Sequence, residues 1–396
     1  MKINKLMLTL AVAASAFAAC NKQETTPVVN DNMGNKSIVM SIANVQAPTK
    51  SAGTSIADQT QVTLNNYQVF FSDGTYLYTP KDATASAAKV QTYFEVNATT
   101  GVNKNFDHQF HFLDNNVNRV VVVGNLDAEY PVENGKTKEA DLWASFQNLN
   151  IKDQQNENDL ILFGSDSDLK TTNDHYITED AAEGVTGTDQ HPSPVYKALV
   201  NLMPAVARFE VTGYQYNEDA DAEYKSVVIN NQSLIGFYDS AVISSTGETN
   251  WTIKPGTMSK EVVQYSWDDV YQSYFSKLTD ADKAAWYYDD VNVTLAPSAT
   301  ATAAAPSETQ NCYAYHVFPA AVPSFIFQIT AKDANNIVTP MYLQTESLTG
   351  CAATKAGVVY QMVVKFDDTV LKAAEKCIDV EIFVHDWHVI VVTPEF

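Results

Sequence analysis

The sequence predicts a mainly β chain built as two consecutive β-sandwiches with a few short helices, on three observations. The chain has 396 residues with 45% hydrophobic content, enough for two cores of ordinary size, whereas a single compact domain of that length is unusual. Its 20 Tyr and 18 Phe, with many Val and Thr, favour strands, and breaks containing Asn, Asp or Gly supply turns. Strand-like runs recur at short spacing with little helical periodicity between them, which is the pattern of sandwiches. Lys and Arg number 25 against 47 Asp and Glu, a formal net charge of -22. Such a chain repels phosphate backbones and anionic lipid surfaces, so nucleic acid is not an expected partner.

Residues 1–20 read as a targeting segment outside the fold. Lys2 and Lys5 give a basic start, Leu6 to Ala16 is apolar but too short to span a bilayer, and small residues precede Cys20. This resembles a bacterial lipoprotein signal, in which the Cys20 thiol is acylated and becomes the new N-terminus, with Phe17 standing where Leu is usual. An ordinary secretory signal cut near Ala19 leaves a lone Cys unexplained, because thiols of exported proteins are normally paired. Acyl chains at Cys20 would anchor the chain, each buried CH₂ contributing about 0.8 kcal/mol. The polar, Pro-containing segment that follows suits a flexible tether.

Ser37 to Val45 is a first strand, with Ile38, Met40 and Ile42 on one face. A Pro, Gly and Ser stretch carrying Lys50 comes next, and such stretches are open to proteases. Strand runs follow at 67–72, 108–113, 118–126 and 159–165, with one short helix at 139–149 on the spacing of Leu142, Trp143 and Phe146. Residues 179–194 have no apolar periodicity and two prolines, which places a boundary between a first domain, 51–190, and a second, 195–386. The second opens with runs around Leu199, Phe209 and Val211 and continues in strands to residue 366. A helical insertion at 266–287 is expected from Trp267, Val270, Tyr271, Tyr274 and Leu278, with Thr279 and Asp282 as a capping box for a second turn. Residues 296–308 are low in complexity and suit a surface loop.

The closing residues raise a sharper question. Ile378, Val380, Ile382 and Val384 share one face, as in a half-buried strand, but Val389, Ile390, Val391 and Val392 are apolar on both faces. A two-sided strand at the end of a chain is exposed to pairing with another chain.

Few residues suggest chemistry. His385 and His388, like His108 and His111, are three apart, so in a strand each pair points to opposite faces and cannot share a metal ion. Cys312 and His316 could share a face but lack an identifiable orienting group, and no GxSxG, HExxH or P-loop occurs. No catalytic residue, cofactor or metal ligand is therefore expected, and the reading is not an enzyme. The acidic runs at 165–168, 217–223 and 279–283 read as solvated surface rather than calcium loops. Cys312, Cys351 and Cys377 leave disulfide pairing open.

Taken together, the Cys20 motif, the short first strand, the basic site at Lys50, the junction near residues 199–211 and the ending 378–396 resemble the fimbrillins, the type V pilins of Bacteroidales, over nearly the whole chain. The resemblance implies two transthyretin-like β-sandwich domains and a lipoprotein precursor exported to the outer membrane. It implies that a protease cuts after a basic residue, that the first strand is lost, and that a C-terminal strand of the next subunit fills the opened groove. On this sequence Cys20 is then the lipidation site and Lys50–Ser51 the cut. Ile38, Met40 and Ile42 belong to the removable strand, while 387–396, with Trp387, Val389, Ile390, Val391 and Val392, is the donor. Family members use Arg at the cut, whereas Arg119 and Arg208 lie inside strands, so a lysine-accepting protease is implied. The implied partners are further copies of the chain in a head-to-tail fimbria, minor fimbrial subunits, the maturation protease and the outer membrane. The alternative is a non-polymerising or tip-located surface lipoprotein that binds glycan or host protein.

Overall fold

In a computed structural model the chain is described over residues 36–42, 45–46, 61–81, 90–96, 107–171, 195–246, 250–255, 258–259, 275–299, 312–320, 322–349, 351, 353–372, 377–386 and 388–390. Strands dominate, as the Tyr, Phe, Val and Thr content predicts. The first set is β1 (Lys36–Ile42), β2 (Val45–Gln46), β3 (Gln61–Thr63), β4 (Asn66–Ser72), β5 (Leu77–Tyr78), β6 (Tyr93–Glu95), β7 (Asp107–Leu113), β8 (Arg119–Gly124), β9 (Gln147–Asn150), β10 (Leu162–Asp166), β11 (Lys170–Thr171), β12 (Val195–Val200) and β13 (Met203–Pro204). The second is β14 (Ala207–Tyr216), β15 (Tyr224–Ile235), β16 (Phe237–Tyr238), β17 (Ser240–Thr246), β18 (Asn250–Pro255), β19 (Met258–Ser259), β20 (Tyr288–Leu295), β21 (Tyr313–Val317), β22 (Ser324–Asp333), β23 (Val338–Thr349), β24 (Val358–Phe366), β25 (Cys377–Asp386) and β26 (His388–Ile390).

The first set makes a sheet in the order β11-β12-β1-β7 and another in the order β13-β10-β8-β4-β5, with β6 also on β4. Val120 to Val123 of β8 are buried on both faces because this second sheet is covered twice. Val120 and Val122 join the main core, while Val121 and Val123 pack against Leu142 and Trp143 of the helix Glu139–Ser145 and against Phe146. The helix therefore forms where Leu142, Trp143 and Phe146 predict it.

Val195–Pro204 completes the first two sheets, β12 pairing with β1 and β13 with β10. Sheet membership thus changes between Pro204 and Ala207, about ten residues beyond the boundary expected at 195. Alternation marks a strand but not the sheet it joins, so the sequence pattern cannot separate these two positions. Gly164 permits the crossing, since a Cβ there would sit 2.3 Å from the Asn201 carbonyl oxygen.

Eight strands of the second set curl into one sheet, β20-β15-β22-β23-β25-β24-β14-β21. Its first and last strands meet through side chains: Tyr315 donates to Asp289, and the Tyr313 hydroxyl donates to the Asp290 carbonyl at 3.3 Å. Phe209, Tyr214, Phe325 and Phe327 fill its interior, and one continuous apolar core joins them to Ile38 and Met40. The capping box of Thr279 and Asp282 is present and starts the one-turn helix Asp280–Lys283. The helix expected upstream lies mostly outside the described residues.

β25 pairs with β24 and β23. Val380 is 1% exposed and Val384 is 54% exposed, so the burial expected along this face fades. The cause is that β23 ends at Thr349, opposite Glu381, and leaves the last residues of β25 with β24 alone.

Candidate functional site: a central first strand and the C-terminal strand

β1 is an inner strand. It runs parallel to β12, with Ser37 opposite Val195 and Ile42 opposite Val200, and antiparallel to β7. The two-residue alternation sends Ile38, Met40 and Ile42 into the core at 0%, 0% and 6% exposure. On β7 a bulge intervenes, since Lys36 is opposite Leu113 and Ile38 opposite Phe110. Phe112, with φ 53°, absorbs the extra residue, and Phe110, Phe112 and Leu113 all turn inward.

Polar contacts at the start of β1 fix its register. The Lys36 ammonium donates to the Val117 carbonyl and lies 4.6 Å from the centre of the Tyr196 ring. Burial lowers its pKa, against the opposing pull of Asp114. Ser37 Oγ lies 3.0 Å from His111 Nδ1. His108 instead meets Tyr67 and stacks on Phe94 with ring centroids 4.1 Å apart. The two imidazoles thus serve separate packing contacts.

Removing β1 would uncover a slot of seven residues between β7 and β12, roughly 23 Å at about 3.3 Å per residue. The apolar burial of Ile38, Met40 and Ile42 is worth about 5 to 9 kcal/mol at about 1.5 to 3 kcal/mol each. Such a slot can be refilled only by an extended segment with apolar side chains two residues apart.

The C-terminal strand has its own place. β26 lies between β2 and β3 and is parallel to both, with Val389 opposite Val45 and Val62, and Ile390 opposite Gln46 and Thr63. Sequence reasoning did not anticipate these partners, because runs of two or three residues carry no periodic signal. β3 is anchored on its far side: the Thr63 amide donates to the Glu157 carbonyl at 3.0 Å, and the Thr63 carbonyl accepts from Asn125 Nδ2 at 2.7 Å. Val62, fully buried, alternates with Thr63 and directs its backbone groups toward β26. Cys20, Lys50, Ser51, Trp387, Val391 and Val392 lie outside the described residues.

A buried ionic node backs β3 and was also missed in the sequence. Arg208 Nε donates to Glu210 Oε1 at 2.7 Å, its Nη1 donates to Glu157, and the same Nη1 lies 3.0 Å from His316 Nε2. His316 Nδ1 lies 2.6 Å from the Gln154 carbonyl, so it carries the proton and Nε2 accepts from Arg208. Burial first, and then Arg208, lower the His316 pKa to about 4. Cys312 is pushed up to about 11, chiefly by burial. A protonated thiol and a neutral imidazole pinned by a guanidinium serve packing, the opposite of an activated nucleophile pair.

The acidic runs have local duties. Asp166 Oδ2 accepts from the Leu199 amide at 2.8 Å, Glu218 Oε1 accepts from the Asp368 amide at 2.7 Å, and Asp282 closes the capping box. Among the described residues no group of three or more His, Cys, Asp or Glu could hold a metal, and no helix is long and apolar enough to cross a membrane.

No protein-family profile matches the chain, and no curated protein does. Several solved structures are similar to it. A fimbrilin from Porphyromonas gingivalis W83 is 10% identical, with a TM-score of 0.47, over 91% of this chain and 99% of that one. A fimbrial assembly protein from Parabacteroides distasonis is 11% identical, with a TM-score of 0.36, over 89% and 94%. A fimbrial protein from Bacteroides vulgatus is 11% identical, with a TM-score of 0.35, over 89% and 99%.

Proposed function

We propose that this chain is a structural subunit of a surface fimbria that polymerises head to tail by strand exchange and supports cell adhesion. The observation that carries the reading is the position of β1: an inner strand near the start of the described chain, with three apolar side chains buried in the core. The segment that follows it contains the basic residue Lys50, so one cut there detaches β1 from the rest of the chain. The vacated slot takes residues 387–396 of another copy, which carry apolar side chains on both faces. Contact of this kind does not close on itself and yields a filament. In this reading Cys20 bears the lipid that holds the precursor in the outer membrane, a lysine-accepting protease matures it, and minor subunits join the polymer.

Treating the tether-free protein with trypsin tests the reading. Cleavage before Ser51, read by N-terminal sequencing, is expected to produce a denaturant-resistant ladder on a gel. Confirmed cleavage with only monomer would overturn it.

A second reading draws on β26, which pairs with β2 and β3 of its own chain. A monomeric or tip-located surface adhesin that binds glycan or host protein would use β26 as a permanent part of its fold.

A further inference from the structure

β26 has a neighbour on each side of the segment that a maturation protease would cut. β2, at Val45–Gln46, precedes residues 47–60, and β3, at Gln61–Thr63, follows them. β2 is separated from β1 by only two residues. Any cut between β2 and β3 therefore assigns β2 to the fragment that carries β1, and β3 to the body of the protein. The reaction is ordinary peptide hydrolysis: water breaks one C–N bond, giving a new carboxylate on the β2 side and a new amine on the β3 side.

We infer that β2 and β3 form a latch that holds the C-terminal strand in the uncut chain, and that departure of the β1–β2 fragment opens one edge of that strand as it empties the β7–β12 slot. The occupant of the latch is this chain's own 388–390 segment, and the inference rests on the strand-exchange reading above. Both flanks are parallel to β26, so its direction is fixed by them together. The β3 flank persists, because Glu157 and Asn125 hold Thr63 from behind. The β2 flank is two residues long and departs in the same fragment as β1. One proteolytic event then prepares both partners of the exchange: an empty acceptor and a loosened donor. An uncut subunit is doubly idle, its slot filled by β1 and its own strand engaged.

Amide exchange over 385–396, followed by mass spectrometry, tests the latch. The full chain is cut at a site-specific protease sequence replacing residues 48–53, stripped of its fragment in mild denaturant, and returned to buffer with one of two synthetic peptides. Peptide 36–42 refills the slot without β2; peptide 36–46 restores both. Exchange at 388–390 is expected to be at least about tenfold faster with the shorter peptide, as local opening becomes easier. Equal rates with the two peptides would overturn the latch. The uncut variant Val45→Pro/Gln46→Pro needs no refolding and should show the same acceleration at 388–390, while 38–42 stays protected; unchanged exchange at 388–390 would again overturn it. If 388–390 loosens as expected but the cut chain without peptide never forms a ladder, the latch stands and the polymer reading falls. If ladders form while 388–390 exchanges alike in all states, the polymer reading stands and the latch falls.

Discussion

β1 and β26 both lie between two strands, but they are held on different scales. β1 spans seven residues, joins an antiparallel neighbour to a parallel one, and buries Ile38, Met40 and Ile42. β26 spans three residues between two short parallel neighbours. Side-chain burial adds to the backbone ladder of the first, whereas the ladder of the second runs over only two or three residues on each side, at about 0.5 to 1.5 kcal/mol net per bond. A strand held as β1 is leaves only after its chain is cut and something equally apolar takes its place; one held as β26 is can open at ordinary thermal cost.

The largest effect that sharpens this contrast is in the slot. Met40→Ala is expected to cost the uncut chain about 2 to 5 kcal/mol in urea unfolding, from lost transfer energy and a cavity. In a polymer made from cut subunits the same substitution should cost nothing, because Met40 has left with β1. Equal losses in both states would show that β1 stays in place after cutting.

Acid comes next, through the node behind β3. Glu157 and Arg208 face His316, and Glu210 pairs with Arg208. In the unfolded chain His316 takes up a proton near its ordinary pKa of 6.5, but in the folded chain only near 4. The unfolded state therefore binds more protons between those values, and stability falls as pH drops through that window, with a slope approaching about 1.4 kcal/mol per pH unit. Glu157 acts in the same direction at lower pH: burial would raise its pKa, but Arg208, its own backbone and His316 together hold it below the usual carboxylate value. Urea titrations from pH 7 to 4 should show the loss, and His316→Gln should flatten it. Since the Glu157 main chain also anchors Thr63, protection at 388–390, corrected for the intrinsic pH dependence of amide exchange, should fall over the same range, before protection at 38–42 does.

Ser37→Ala gives a smaller effect, about 1 kcal/mol, by removing the hydroxyl that meets His111. Unfolding of the uncut chain reads it, and a loss much larger than this would mean that register, rather than apolar burial, holds β1.

How much of this was legible in the sequence follows from the range of each signal. Alternation at Ile38, Met40 and Ile42 marked a strand with one buried face, and β1 has that burial. Leu142 and Trp143 marked their helix, and Thr279 with Asp282 marked a cap. Those signals are local. That β1 lies between β7 and β12 was not written in its own residues, because partner choice depends on segments about 70 and about 158 residues away. For the same reason nothing in Val195–Pro204 itself shows that it pairs with β1 and β10. Arg208 and Glu210 looked like ordinary alternation, and only the approach of Glu157 and His316 makes them an ionic node. The two-sided run at 389–392 was visible, but its neighbours β2 and β3 are too short to carry a pattern.

One further expected effect can break the comparison. Deleting 387–396 from the uncut chain removes β26 but leaves β25 paired with β24 and β23, and Thr63 anchored by Glu157 and Asn125. What is lost is a few backbone bonds to β2 and β3, each worth about 0.5 to 1.5 kcal/mol net, so the uncut monomer should lose a few kcal/mol at most and stay folded. The same deletion should abolish the trypsin-induced ladder, because the slot then has no occupant with alternating apolar side chains. If the deletion instead unfolds the monomer, β26 is as deeply built into the fold as β1, the two strands are not held on different scales, and the adhesin reading, in which this strand never leaves its own chain, becomes the better account.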